Sequence, residues 1–135
     1  MANLTVFTDL QANGQFLHKE EVSTIATASA VTFTAAQILG GLILRDPNGL
    51  GRADLVPTAA SLYSALGNPV KIAGASFEFT IRNTADAAET ITLTTNTGMT
   101  MSGTMTIAQN NTKTFKVVFT SPTAATVYSL GTVVH

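Results

Sequence analysis

The side chains able to do chemistry are few and scattered. The carboxylates are Asp9, Glu20, Glu21, Asp46, Asp54, Glu78, Asp86 and Glu89. Glu20 and Glu21 alone are adjacent, and neighbours on a strand point to opposite faces, so no carboxylate pair is set up for acid–base work. The two histidines, His18 and His135, are far apart and have no partners at ligand spacing. The chain has no cysteine, which excludes disulfides, thiolate zinc sites and a thiol nucleophile. No Gly-x-Ser-x-Gly elbow is present. Gly49-Leu50-Gly51 is followed by Arg52-Ala53, not by the Lys-Ser/Thr of a phosphate loop. These absences predict a protein that is not an enzyme, with no cofactor and no small-molecule substrate.

The candidate working residues are therefore contact residues. Arg45, Asp46 and Arg52 flank a turn, Asp46-Pro47-Asn48-Gly49, in which proline fixes its own φ and Asn-Gly favours positive φ. Two readings stand for it: a loop that contacts a neighbouring subunit or an anion, or a solvated loop whose charges pair locally, with Asp54 close by. Leu4, Val6 and Phe7 give the first stretch the hint of a short strand, broken by the turn signal Ala12-Asn13-Gly14-Gln15. That stretch reads either as an arm onto a neighbouring subunit or as a first strand in its own sheet.

The elements that must carry these residues are strands. Ser76–Asn83 and Thr112–Phe119 alternate apolar and polar residues one by one, the period of a strand with one face in a core. The inward sets are Phe77, Phe79, Ile81 and Phe115, Val117, Phe119; Val118 is on the outward set. Ile91 and Leu93 continue the pattern, and Gly103 resets the register between Met99, Met101 and Met105, Ile107. Gln109-Asn110-Asn111 reads as a hairpin turn, and the last strand, Thr126–Val134, bends at Gly131. Upstream, Glu21–Phe33 predicts one strand or two with a bend near Ala28, and Leu42-Ile43-Leu44 a buried strand. Thr34 and Gln37 form a capping box for a single helical turn ended by Gly40-Gly41. A second short helix is capped by Thr58, buries Ala59, Leu62 and Leu66 on one face, and stops at Gly67 with Asn68-Pro69 beyond. Short strands at this spacing predict an all-β, mostly antiparallel, jelly-roll-like sandwich or barrel. It has one or two short helices and an N-terminal arm. Residues 1–33 are the arm and first strands, and 34–135 a single β domain.

The chain has 135 residues, enough for a sizeable core, yet only 11% of them are charged and the net charge is −1. About a quarter charged is usual. Such a surface is poorly protected against association and suits a protein that lives in an assembly. The scattered lysines and arginines do not form the basic face that nucleic acid requires. No window approaches the roughly 18 apolar residues of a membrane helix, and no secretory leader is visible at Met1-Ala2-Asn3-Leu4.

Ser76-Phe77-Glu78-Phe79-Thr80-Ile81-Arg82-Asn83-Thr84, the threonine-rich middle with Gly98 and Ser102-Gly103-Thr104, and Ile107–Val117 together resemble a β domain of virion surface proteins. It is found in tailed phages and some large DNA viruses, notably in capsid decoration (cement) proteins. Leu42–Pro47 and the Pro57–Leu66 helix resemble the upstream part of such proteins, so the likeness spans about residues 38–135. The resemblance implies a non-enzymatic homotrimer. It would bind the major capsid protein between capsomers on the outer surface of the head and stabilise the shell. A fibre or receptor- and glycan-binding surface protein, or a tail-tube subunit, are the alternatives. The resemblance carries over no catalytic residue.

Overall fold

A computed structural model describes residues 20–67 and 71–135. The expectations for Leu4, Val6, Phe7, His18 and Asn68-Pro69 lie outside the described residues. The elements run β1 (Glu21–Ala26), α1 (Ala35–Gly40), β2 (Gly41–Asp46), β3 (Arg52–Leu55) and α2 (Ala59–Ala65). They continue with β4 (Ser76–Asn83), β5 (Ile91–Thr94), β6 (Met99–Ser102), β7 (Thr106–Ile107), β8 (Asn111–Ser121) and β9 (Ala124–Val134). Two sheets form: a six-stranded one in the order β1-β2-β4-β8-β9-β6, and a three-stranded one in the order β3-β5-β7. The described residues are thus mostly strand, with two short helices among them.

Alternation in sequence became burial in structure. Phe79, Ile81, Phe115, Val117, Phe119 and Val127 project from the large sheet, and Ile91, Leu93 and Ile107 from the small one, into one apolar core. Phe79 stacks on Phe115 with ring centroids 5.2 Å apart, a consequence of their being direct partners across the β4–β8 ladder. Phe77 is only half-buried, and Val118, expected in water, is half-buried as well.

The sheets are mixed, not purely antiparallel. β1–β2, β2–β4, β3–β5 and β6–β9 pair in parallel. A period of two reports which face is buried and is blind to strand direction, so alternation could not distinguish the two. Parallel neighbours need a crossover. Between β1 and β2 the chain bends at Ala28-Ser29 and leaves the large sheet. It makes a bridge from Thr32 to Leu55 on the small sheet's edge and returns through α1. The bend was foreseen; the change of sheet was not.

Both helix starts are as the sequence predicts. The Thr34 hydroxyl accepts from the Gln37 amide at 3.2 Å and the Gln37 side chain accepts from the Thr34 amide at 2.8 Å. Gly41 stops α1 with φ 97°, a conformation glycine adopts without strain. The Thr58 hydroxyl caps α2 through the Ser61 amide. The expected glycine stop at Gly67 is corrected: α2 ends earlier, with Leu66 in an extended conformation as its cap. Gln109-Asn110-Asn111 is also corrected. Asn110 does turn with φ 60°, but β7 and β8 belong to different sheets, so the turn is a corner and not a hairpin. In β9 the break falls at Leu130: Thr114 pairs with Gly131 and Phe115 with Ser129, leaving Leu130 as a bulge beside the expected bend.

Candidate functional site

Arg45 and Asp54 come together, but inside the protein. β2 and β3 lie in different sheets, and the turn Pro47–Gly51 brings their ends face to face. Both side chains are 0% exposed, and Nε of Arg45 donates to Asp54 Oδ2 at 2.7 Å while Nη2 reaches Oδ1 at 3.2 Å. The rest of the guanidinium is spent on backbone. Nη1 donates to the carbonyls of Asp46 at 2.6 Å and Thr27 at 3.1 Å, and Nη2 to that of Ser29 at 2.8 Å. Asp54 Oδ1 also accepts from the Val31 amide at 3.0 Å. An arginine has five N–H donors in a fixed fork, and here every one has an acceptor. The pair therefore fastens three things at one point: the large sheet, the small sheet, and the crossover Thr27–Val31. It has no donor left for an anion or a partner. Arg45, expected at the flank of an exposed loop, is an interior residue. The error has a physical source: a buried arginine needs partners from Ser29 and Thr27, and sequence spacing does not show backbone carbonyls converging.

Asp46 and Arg52 remain at the rim, both half-buried. Asp46 Oδ1 accepts from the Asn48 amide at 2.9 Å, an Asx turn, and Arg52 Nε donates to the Pro47 carbonyl at 3.3 Å. They hold the shape of the turn that carries Leu50 into solvent.

Sequence reasoning missed two further buried charges. Lys113 shares the inward parity of Phe115, and its ammonium is satisfied by the carbonyls of Thr104 and Thr106, each at 2.8 Å. Burial pushes its pKa below the usual lysine value. Its place in the Lys113-x-Phe115-x-Val117 set was the available signal. Glu89 is buried with Oε1 accepting from the Gly49 amide at 2.8 Å, while Oε2 has no hydrogen-bond partner. Among the described residues no three His, Asp or Glu side chains gather as metal ligands, and no helix is long and apolar enough to cross a membrane.

Two outer surfaces of the large sheet stand out among the described residues: one sheet face and one stretch of strand edge. The face opposite the core carries Leu42, Thr80, Thr114, Lys116, Thr126 and Tyr128, which lie in three successive cross-strand rows on β2, β4, β8 and β9. Thr80 and Thr114 hydrogen-bond to each other at 3.1 Å, and Glu78 lies opposite Lys116. At its end Arg82 Nε donates to His135 Nε2 at 3.0 Å. The edge belongs to β9. β6 pairs with β9 only as far as Tyr128, so among the described residues β9 has from Ser129 to Val134 β8 on one side and no strand on the other. That free stretch carries Leu130, Val133 and Val134, exposed by 52%, 67% and 75%. An exposed apolar edge strand is a template for pairing with another chain.

Comparison of the chain with protein-family models, with curated proteins and with solved structures yields no match.

Proposed function

We propose that the protein is a non-enzymatic structural subunit of a virion, a decoration protein that binds between capsomers as a homotrimer and stabilises the head. The observation that carries this reading is the free edge of β9, apolar at Leu130, Val133 and Val134, on a chain only 11% charged. A protein that worked alone would be expected to blunt such an edge with lysine, proline or a covering loop. The threonine-rich outer face supports the same role, since its methyls can pack against a partner and its hydroxyls carry no charge to desolvate, each needing only a hydrogen-bond partner in the contact. On this reading the sandwich is jelly-roll-like in its two packed layers, and the β9 edge and the outer face are the surfaces that meet other subunits and the major capsid protein.

The fibre-tip alternative requires a cluster of exposed aromatic side chains. Tyr63 packs edge-on against Phe119 at 5.3 Å, which leaves Tyr128 as the exposed tyrosine among the described residues. The decoration reading is therefore preferred. Native mass spectrometry of the purified protein, followed by co-sedimentation with empty capsids, tests it. A trimer that sediments with capsids is the expected result. A strict monomer with no affinity for capsids refutes it.

A further inference from the structure

The turn between β2 and β3 contains the chain's single Asp-Pro bond, Asp46–Pro47. The carbonyl oxygen of Asp46 belongs to that bond. It accepts from Arg45 Nη1 at 2.6 Å and from the Thr27 amide at 3.3 Å. The Arg45 side chain is 0% exposed, so no water competes for its donors. Two donors converging on one carbonyl oxygen, one of them charged and dry, make an oxyanion hole for an attack on the carbonyl carbon. The side chain of Asp46 is the nucleophile at hand. Its Oδ1 accepts from the Asn48 amide at 2.9 Å, and its Oδ2 has no hydrogen-bond partner among the described residues. Attack by that carboxyl group on the carbonyl carbon of its own residue closes a five-membered ring, and an intramolecular attack has an effective concentration that no external nucleophile reaches. The leaving group completes the set. Pro47 contributes a tertiary amide nitrogen with no hydrogen, which departs as a secondary amine once it takes a proton.

We propose that the protein cuts its own chain between Asp46 and Pro47. First, an oxygen of the Asp46 carboxyl group bonds to the Asp46 carbonyl carbon, and Arg45 and Thr27 hold the oxyanion. The carbon–nitrogen bond then breaks with its electron pair going to Pro47, and the carboxyl proton of Asp46 passes to that nitrogen. Residue 46 is left as a cyclic anhydride. Water opens it to the two carboxyl groups of a C-terminal aspartate, so the net reaction consumes one water and no other reactant. Asp46 is half-buried, which lets that water in. Pro47 is buried and its carbonyl accepts from Arg52 at 3.3 Å, so the released amine stays beside the anhydride and can re-form the bond. Cutting is therefore slow, and a fall in pH favours it by keeping the amine protonated. The two pieces, 1–46 and 47–135, remain joined: β2 keeps its ladder with β4, and Arg45 its bond to Asp54, across the cut.

The test uses the full chain, incubated at the lowest pH at which circular dichroism still reports the native fold. A parallel sample is held in concentrated urea at the same pH, so that the fold itself is the variable and no substitution is needed. Denaturing gels, intact mass and N-terminal sequencing follow the cut. The expected products are two fragments whose masses add up to the parent plus one water, with Pro47 as the new amino terminus. They should form at least about tenfold faster in the folded chain than in the unfolded one, since a single oxyanion donor is worth about 10²–10³ in rate. Asp46→Asn keeps an acceptor for the Asn48 amide but lacks the carboxyl nucleophile, and should be cut at least about tenfold more slowly than the parent. A chain that stays whole overturns the proposal. So do equal rates with and without urea, an Asp46→Asn variant cut as fast as the parent, or a new terminus other than Pro47.

Discussion

Replacing Arg45 is the sharpest perturbation the structure offers. Arg45→Ala leaves the Asp54 carboxylate in the interior with the Val31 amide as its remaining donor, and strips a donor from the carbonyls of Thr27, Ser29 and Asp46. Removing one member of a buried pair costs about 3–5 kcal/mol, and a stranded buried carbonyl about 1 kcal/mol or more. These contributions overlap, and water entering the vacated volume recovers part of them, so the expected loss is about 4–6 kcal/mol. Total stability of a domain this size is about 5–15 kcal/mol, so Arg45→Ala should be close to unfolded. Arg45→Lys keeps a charge but has three donors for five acceptor contacts, and should lose about 2–4 kcal/mol. The double variant Arg45→Met/Asp54→Leu removes both charges and leaves only backbone groups unpaired. It should lose less than the sum of the single variants by at least about 2 kcal/mol. Urea unfolding followed by circular dichroism measures the parent, these three variants and the matching single variants Arg45→Met and Asp54→Leu. With a slope near 1.5 kcal/mol per molar urea, Arg45→Ala moves the midpoint down by about 3 M. A loss under about 1 kcal/mol, or strict additivity in the double variant, would refute the claim that this pair fastens the two sheets.

Three further outcomes follow from other sites. A Cβ at Gly98, where φ is 79°, would run into the Thr123 carbonyl oxygen and crowd Ala59, whereas Gly74, at φ 86°, has open space around it. Thermal unfolding should therefore show Gly98→Ala losing more than about 2 kcal/mol and Gly74→Ala about 1 kcal/mol. The lowered pKa of Lys113 means that the unfolded chain binds more protons than the native one between the native value and 10.5. Stability relative to Lys113→Met should then rise with pH across that window, by at most about 1.4 kcal/mol per pH unit, and a fall would contradict the assignment. If the β9 edge joins subunits as proposed, Val133→Lys should weaken that self-association in analytical ultracentrifugation by at least about tenfold while changing monomer stability by under about 0.5 kcal/mol.

The parts of the fold legible in the sequence are those written in local pattern. The inward sets Phe79, Ile81 and Phe115, Val117, Phe119 were legible because one face of each strand is dry. The Thr34–Gln37 box and the Gly41 stop were legible because capping is settled within a few residues. Strand direction was not, because it is fixed by where the crossovers through Thr32 and α1 lead. The burial of Arg45 was not, because its acceptors are backbone carbonyls, which every residue has. Gly67 looked like a stop because Gly-Asn-Pro is a strong breaker, but Leu66 had already left the helix. The free edge of β9 was hidden too: Leu130, Val133 and Val134 read as ordinary strand residues until β6 is seen to end at Ser102.

The strand order also sets a timetable. β4 and β8 form the middle of the large sheet, yet β8 begins only at Asn111. During synthesis β1, β2 and β4 emerge first and can pair with one another, while one side of β4 has no neighbour. β9 has no sheet to join until β8 is made, and β6 waits in turn for β9. Contacts between residues this far apart in sequence are slow to form. The nascent chain therefore holds an open edge of β4, with Phe79 lacking its stacking partner Phe115, until β8 at Asn111–Ser121 has been made, and the middle of the sheet closes only after its first three strands have formed.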